Sequence, residues 1–344
     1  LKDIQDVYLG IKYNIKHVYS SEEITTQTGK ATVKSNSFII ESDNGTFDDI
    51  KNYIKYVFEL NKIEVKVMRI YQPRVYKNKD SDTIDWESIY VKSNKNIKNT
   101  VLNETINNGL VKDIELFLGN QNWYDTRGVP YKRGYILYGP PGTGKTSIIK
   151  AIANTHNLPI FTIDFDIISS NNKLSQLVTE INYHHKNSPY ILCMEDIDRS
   201  KMFSRYSDGV SPECLLNVLD GVVEAYGRIV FMTVNDINKI KNSYIRDMDF
   251  SKALIRPGRI DKVLEIGFLD KSQAERMVQI FYETDIELDF DPTDCNISPA
   301  ELVQIMQIHP TDITQMINSF RIRAKGKGPI EPILAESMSS GVSS

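Results

Sequence analysis

The run Gly139-Pro140-Pro141-Gly142-Thr143-Gly144-Lys145-Thr146 constrains this chain more than any other stretch, because its flanks are as particular as the run itself. Before it, Gly134-Tyr135-Ile136-Leu137-Tyr138 reads as a buried strand; after it, Ser147 to Ala153 reads as a helix. A strand, a glycine loop and a helix N-terminus in that order form an anion cradle lined by free backbone N–H groups. The glycines let the backbone approach a triphosphate, Lys145 is suited to its β- and γ-oxygens, and Thr146 to Mg²⁺. The chain is expected to bind a nucleoside triphosphate, with Ser147 completing the set.

A second apolar strand, Tyr190 to Met194, ends in Glu195-Asp196-Ile197-Asp198. Carboxylates at the carboxyl end of a parallel strand lie where such sheets bind ligands. One would hold the metal shell and the other would orient the attacking water. Aligned on Ile197-Asp198, Glu195 takes the metal side and Asp196 the water side. That order reverses the usual Asp-then-Glu, and leaves the water-side carboxylate one methylene shorter.

A third apolar strand, Arg228 to Thr233, terminates in Val234-Asn235, where a polar amide can reach the γ-phosphate and the water. Further on, Arg256 and Arg259 flank Pro257-Gly258 on a rigid turn. Planar guanidinium groups suit phosphate oxygens. In a ring, such arginines reach the neighbouring subunit's γ-phosphate.

These elements, in this order and spacing, resemble an AAA+ ATPase, with Arg256 to Asp261 similar to the second region of homology of the AAA clade. The lead segment Asn122 to Tyr135, the reversed Glu195-Asp196, Leu215 to Val222 and Ile297-Ser298-Pro299-Ala300 narrow the resemblance to the Bcs-type AAA family. Its best-known member is the mitochondrial inner-membrane translocase that installs the Rieske iron–sulfur protein. The resemblance covers about residues 95 to 325 and thins before that. It implies ATP and Mg²⁺ as cofactors, the phosphate-loop role for Gly139 to Thr146, and metal and water roles for Glu195 and Asp196. It further implies a sensor role for Asn235 and trans-acting fingers at Arg256 and Arg259. Gly128, in the lead segment, is counted with the nucleotide-binding residues. Family members assemble as a homo-oligomeric ring, a heptamer or hexamer, and move folded protein cargo. Ile167 to Lys173 lacks the aromatic–glycine pair of threading motors, which favours folded cargo. Two departures stand out: the family's N-terminal transmembrane helix has no counterpart here, and the polar stretch Asp236 to Lys252 is longer than the family's short turn.

Composition sets outer bounds. With 344 residues the chain accommodates two or three domains. Its net charge is −4, from 41 basic and 45 acidic residues. No basic face is concentrated enough to demand nucleic acid, so that partner is not expected. Lys92 to Lys98 reads as solvated surface. Cys193, Cys214 and Cys295 lack metal-ligand spacing and imply no disulfide framework, which suits a reducing intracellular compartment, the cytoplasm first. His184-His185 lacks a third ligand nearby. No apolar run reaches 18 residues. Membrane association is expected only through a segment outside this sequence.

The expected architecture is α/β: a doubly wound parallel-sheet nucleotide domain with a small helical lid, preceded by a strand-rich N-terminal domain. The boundaries read as follows: the N-terminal domain 1–95, including an amphipathic helix from Phe47 to Leu60, a connecting helix 96–118, the large ATPase subdomain 119–270, the lid 271–325 and a flexible tail 326–344. The leading functional expectation is an ATP-driven translocase or assembly chaperone. The alternatives are a nucleic-acid remodeller and an ATP-switched ring scaffold with little hydrolysis, since a shared fold does not assign a shared cargo.

Overall fold

The computed structural model describes residues 4–26, 29–60, 67–77, 82–184, 188–200, 209–220, 225–241, 244–245 and 248–326. It divides into two compact units, Leu1–Val65 and Lys66–Ser344. In the first, strands β1 (Ile4–Tyr8), β2 (Ile11–Thr26) and β3 (Gly29–Glu41) form an antiparallel sheet, followed by helix α1 (Phe47–Leu60). An aromatic stack joins helix and sheet: Tyr13 lies on Tyr53 with ring centroids 4.1 Å apart, and Tyr8 on Tyr56 at the same spacing. The expected amphipathic helix is present, but its buried anchor is Tyr53, whereas Phe47 is 81 % exposed.

The second unit carries a seven-stranded sheet. Its first strands, β4 (Val67–Lys77) and β5 (Asp82–Lys92), pair antiparallel as a hairpin. This corrects the expected boundary at residue 95. β4 runs parallel to a central strand of the nucleotide domain through Ile70 and Tyr71, so the hairpin extends that sheet and is not part of the N-terminal one. Tyr71 stacks on Phe161 at 4.4 Å, and the Trp86 indole donates to the Leu177 carbonyl at 2.9 Å.

After the hairpin come α2 (Glu104–Ile106), a π turn (Asn107–Val111), α3 (Lys112–Gly119) and α4 (Gln121–Arg127). The doubly wound core then alternates β6 (Lys132–Tyr138), α5 (Lys145–His156), β7 (Ile160–Ile163), α6 (Asn171–His184), β8 (Tyr190–Met194), α7 (Pro212–Asp220) and β9 (Arg228–Val234). Next follow α8 (Ile237–Lys241), a small hairpin of β10 (Tyr244–Ile245) and β11 (Met248–Asp249), α9 (Phe250–Leu254) and β12 (Lys262–Glu265). The sheet order is β12-β6-β9-β8-β7-β4-β5, with all pairs parallel except β4–β5. β8 and β9 are buried along their whole length, as covered parallel strands must be. Alternate residues feed two cores: Ile136, Leu192 and Met194 on one face, Tyr135, Leu137, Ile191 and Cys193 on the other. Each large side chain so buried contributes about 1.5–3 kcal/mol over leaving it exposed.

The stretch between β9 and Arg256 reads as polar, yet it sends Ile237, Ile240, Phe250 and Leu254 into the first of these cores. The lid, α10 (Lys271–Tyr282), α11 (Pro299–Ile308) and α12 (Ile313–Ala324), has its own core around Val278, Leu302, Met316 and Phe320. Capping boxes start α10 at Asp270–Gln273 and α11 at Ser298–Glu301, with Pro299 pre-set in the first turn. His185 and residues 327–344 lie outside the described residues. Among the described residues, no helix is long and apolar enough to cross a membrane.

Candidate nucleotide site

The phosphate loop leaves β6 at its carboxyl end and enters α5 at Gly144, which takes the left-handed conformation at the cap position (φ 97°). Gly139 (φ 150°) has no room for a side chain: a Cβ there would lie 2.1 Å from the Ile266 carbonyl oxygen. The glycine therefore lets the loop pass against the residue that follows β12. Within the loop, the Pro140 carbonyl accepts from Thr143 Oγ1 at 2.9 Å and from Lys145 Nζ at 3.0 Å, while Pro141 and Gly142 form the turn.

Lys145 is 7 % exposed and donates also to the Gly139 carbonyl at 2.7 Å and to Asn235 Oδ1 at 2.9 Å. Burial pushes its pKa down; Asp196 and Asp198 push back up, and Arg199 adds to the lowering. Thr146 Oγ1 hydrogen-bonds Glu195 Oε1. A hydroxyl beside a carboxylate is an oxygen donor set that fits a hard divalent cation such as Mg²⁺. Asp196, the neighbouring carboxylate, takes a left-handed conformation (φ 48°), its N–H held by Thr233 Oγ1 at 2.9 Å. Non-glycine residues adopt this region at a cost and concentrate at functional sites. The Asp196 carboxylate accepts from Asn235 Nδ2 at 2.9 Å and lies 3.6 Å from Arg199. Lys145, Thr146, Glu195, Asp196 and Asn235 thus come together at the carboxyl ends of β6, β8 and β9. Ser147 joins them from α5, its hydroxyl accepting from Lys95 Nζ at 3.1 Å.

Beside the loop opens a cavity of about 660 Å³ between the Thr100–Asn103 segment and the lid. Gly142, Thr143 and Gly144 line its phosphate end, and Ile148, Met277, Phe281 and Met306 its apolar end. α11 reaches the loop directly, with Ala300 N–H donating to the Gly142 carbonyl at 3.2 Å. An apolar chamber continuous with a phosphate cradle has the shape and chemistry of a nucleotide pocket. The base-side residues are the ones sequence reading missed. Met277 and Met306 fall on lid helices whose apolar positions read simply as core, and Thr100–Asn103 carries no motif.

Arg256 and Arg259 do not join this group. Both turn to Asp220 at the end of α7, Arg256 at 2.9 Å and Arg259 at 3.6 Å, with Lys132 also 3.2 Å from that carboxylate. Burial works against the Asp220 charge, but hydrogen bonds from Lys132 and Arg256 outweigh it and hold the carboxyl below its usual range. Burial and the Arg256 charge lower the pKa of Arg259, which also donates to the Ala253 carbonyl at 2.7 Å. Their turn is bolted to the start of β6: the Gly134 N–H donates to Asp261 Oδ2 at 2.9 Å, and a Cβ on Gly134 would lie 1.9 Å from the Arg259 carbonyl oxygen. At about 3.3 Å per residue, Gly134 and Gly139 stand roughly 16 Å apart, beyond the reach of an arginine side chain. The turn sits at the opposite end of β6 from its own phosphate loop. Gly128 precedes that same N-terminal end of β6. It caps α4 in the left-handed conformation, four residues before β6, so its placement does not fit the nucleotide role expected for it.

Residues 135–268 match the family model described as "ATPase family associated with various cellular activities (AAA)". The chain is 36 % identical over 206 residues to the probable mitochondrial chaperone BCS1-A of Dictyostelium discoideum, covering 56 % of this chain and 45 % of the relative. It is 33 % identical over 250 residues to the probable mitochondrial chaperone bcs1 of Schizosaccharomyces pombe, covering 67 % and 52 %. An AAA-ATPase of Arabidopsis thaliana is 25 % identical over 338 residues, covering 92 % and 69 %. The chain spans about half the length of the first two. The AAA match lies over the phosphate loop, both carboxylates and the arginine turn, so residues 135–268 form an AAA ATPase domain, and the chain carrying it is similar to the BCS1 chaperones.

Proposed function

We propose that the protein hydrolyses ATP in a ring of its own copies and uses the cycle to move or assemble a folded protein. One observation supports the ring: each subunit holds its phosphate loop and its Arg256–Arg259 turn at opposite ends of β6, so a complete site needs two subunits. Within a subunit, Lys145 neutralises the phosphate oxygens, Thr146 and Glu195 would hold Mg²⁺, and Asp196 with Asn235 orients the attacking water. The metal, when bound, offsets charge on the β- and γ-oxygens. The neighbour's Arg256 and Arg259, released from Asp220, would stabilise charge on the γ-phosphoryl group.

The chaperone part of the reading draws on the printed names of the relatives, as does a mitochondrial compartment in place of the cytoplasm first expected. Mixing Lys145→Ala subunits with Arg256→Ala subunits tests the shared site, since each variant supplies what the other lacks. Turnover restored on mixing supports it; no turnover from mixtures that still co-assemble overturns it. Capture with Asp196→Asn held in ATP then tests the cargo. Enrichment of one folded protein supports the chaperone reading, and recovery of DNA or RNA replaces it with a nucleic-acid remodeller.

A further inference from the structure

Asp198 is the one buried carboxylate among the described residues, and no step above uses it. Its side chain is 1 % exposed. A carboxylate so enclosed is costly unless its oxygens are satisfied. Here they are satisfied by the strand opposite. Oδ1 accepts from the Asn235 N–H at 3.1 Å, and Oδ2 accepts from the Asp236 N–H at 3.4 Å, with Lys239 Nζ 3.7 Å away. The same two chain segments are tied in the other direction by Asp196 N–H donating to Thr233 Oγ1. A third tie is the side-chain bond from Asn235 to Asp196. The turn after β8 and the end of β9 are therefore fastened at three points, and Asn235 is held by backbone on one side of the fastening while its amide spans Lys145 and Asp196.

We infer that Asp198 is a positioning residue for hydrolysis: it fixes the backbone of Asn235, and through it the presentation of the shortened water-side carboxylate, Asp196. A carboxylate one methylene short has less freedom to find the water by its own rotation, so its placement depends on what surrounds it. This inference rests on the ATPase reading above. It separates Asp198 from a merely structural acid, because its effect on turnover should pass chiefly through Asn235.

The experiment measures steady-state ATP hydrolysis and calorimetric ATP binding for the full chain as wild type, Asp198→Asn, Asn235→Ala and the double variant. Asp198→Asn preserves shape but turns an NH₂ group toward backbone donors. It should lower kcat by about tenfold or more while KM and the dissociation constant stay within about twofold. The double variant should be no slower than Asn235→Ala alone. Unchanged kcat in Asp198→Asn, or losses that multiply in the double variant, would overturn the inference. Should Asp198→Asn fail to fold, Asp198→Glu keeps the charge but displaces both acceptors. Bound ATP with reduced kcat then supports the assignment, and wild-type kcat defeats it. A wild type that binds ATP without turnover removes the ATPase reading itself, and this inference with it.

Discussion

Asn235 donates its side-chain amide to the Asp196 carboxylate at 2.9 Å, while its carbonyl accepts from Lys145 at the same distance. One amide thus links the loop lysine to the carboxylate that, on the reading proposed above, orients water. An amide is the side chain suited to the task, because it offers a donor to an anion and an acceptor to a cation at once. Aspartate or leucine at this position would satisfy one neighbour or neither.

Gly139→Ala should destabilise the fold as well as the site. Its Cβ would stand 2.1 Å from the Ile266 carbonyl oxygen, a backbone atom that cannot rotate away, in a conformation (φ 150°) that strains any side chain. We expect a loss of about 2–3 kcal/mol, in the range of overpacked interiors. Urea unfolding midpoints would check it, and a variant as stable as wild type would show that the loop has room to shift.

The two arginines should separate under mutation. The Arg256 side chain is 50 % exposed, so its pair with Asp220 is worth little to the fold, about 0–1 kcal/mol. Arg256→Ala should keep its unfolding midpoint and lose turnover in the assembled ring. The Arg259 side chain is 11 % exposed and bonds the Ala253 carbonyl, so Arg259→Ala should lose both turnover and about 1–3 kcal/mol of stability. Equal stability losses for the two would contradict this division.

His156 gives the fold a defined pH dependence. Burial lowers its pKa below the ordinary 6.5, with Glu115 opposing, and its Nε2 is buried without a hydrogen-bond partner. Above pH 6.5 the ring is neutral in both folded and unfolded chains and contributes nothing. As pH falls through 6.5 the unfolded chain takes up the proton first, so stability declines until the folded pKa is reached. His156→Gln should flatten that decline, seen as a smaller difference in urea midpoint between pH 7.5 and pH 5.5 (about one unit either side of the ordinary value). An undiminished difference would place the dependence elsewhere.

Base selection should rest on Asn103 and Gln273, which both line the cavity. Asn103 Oδ1 caps the Ile106 N–H at 2.8 Å and Gln273 Oε1 accepts from the Asp270 N–H at 3.2 Å. With their oxygens committed to caps, each amide has its NH₂ to offer, which suits the ring-nitrogen acceptors of adenine and opposes the N–H of guanine. Asn103→Asp and Gln273→Glu keep the caps and remove the donors. Competition binding should show the preference for ATP over GTP falling about tenfold; an unchanged ratio would assign selection to backbone groups.

Much of the candidate site was legible because phosphate chemistry restricts residue type: Gly139 to Thr146 with its strand and helix, the carboxylates after β8, and the amide after β9. The parallel core was legible as well, since covered strands such as Tyr190–Met194 are apolar throughout. The assignment of β4 and β5 was not. An alternating strand declares that one face is buried but not against which sheet, and the Ile70–Ile160 pairing spans a long sequence separation. Asp198 served only to align the two carboxylates before it, since its partners are backbone N–H groups that leave no mark on composition. Gly128 misled for the opposite reason. A left-handed helix cap and a phosphate-contacting glycine ask for the same residue.

The seven residues of β6 also have a kinetic meaning. On the proposed reading, the strand separates the phosphate loop from the arginine turn and leaves a diluted monomer with two half-sites that never meet. On the reading proposed above, the rate per subunit then rises with total concentration. The abundance of the chain in its compartment becomes a threshold, below which bound nucleotide is kept rather than spent.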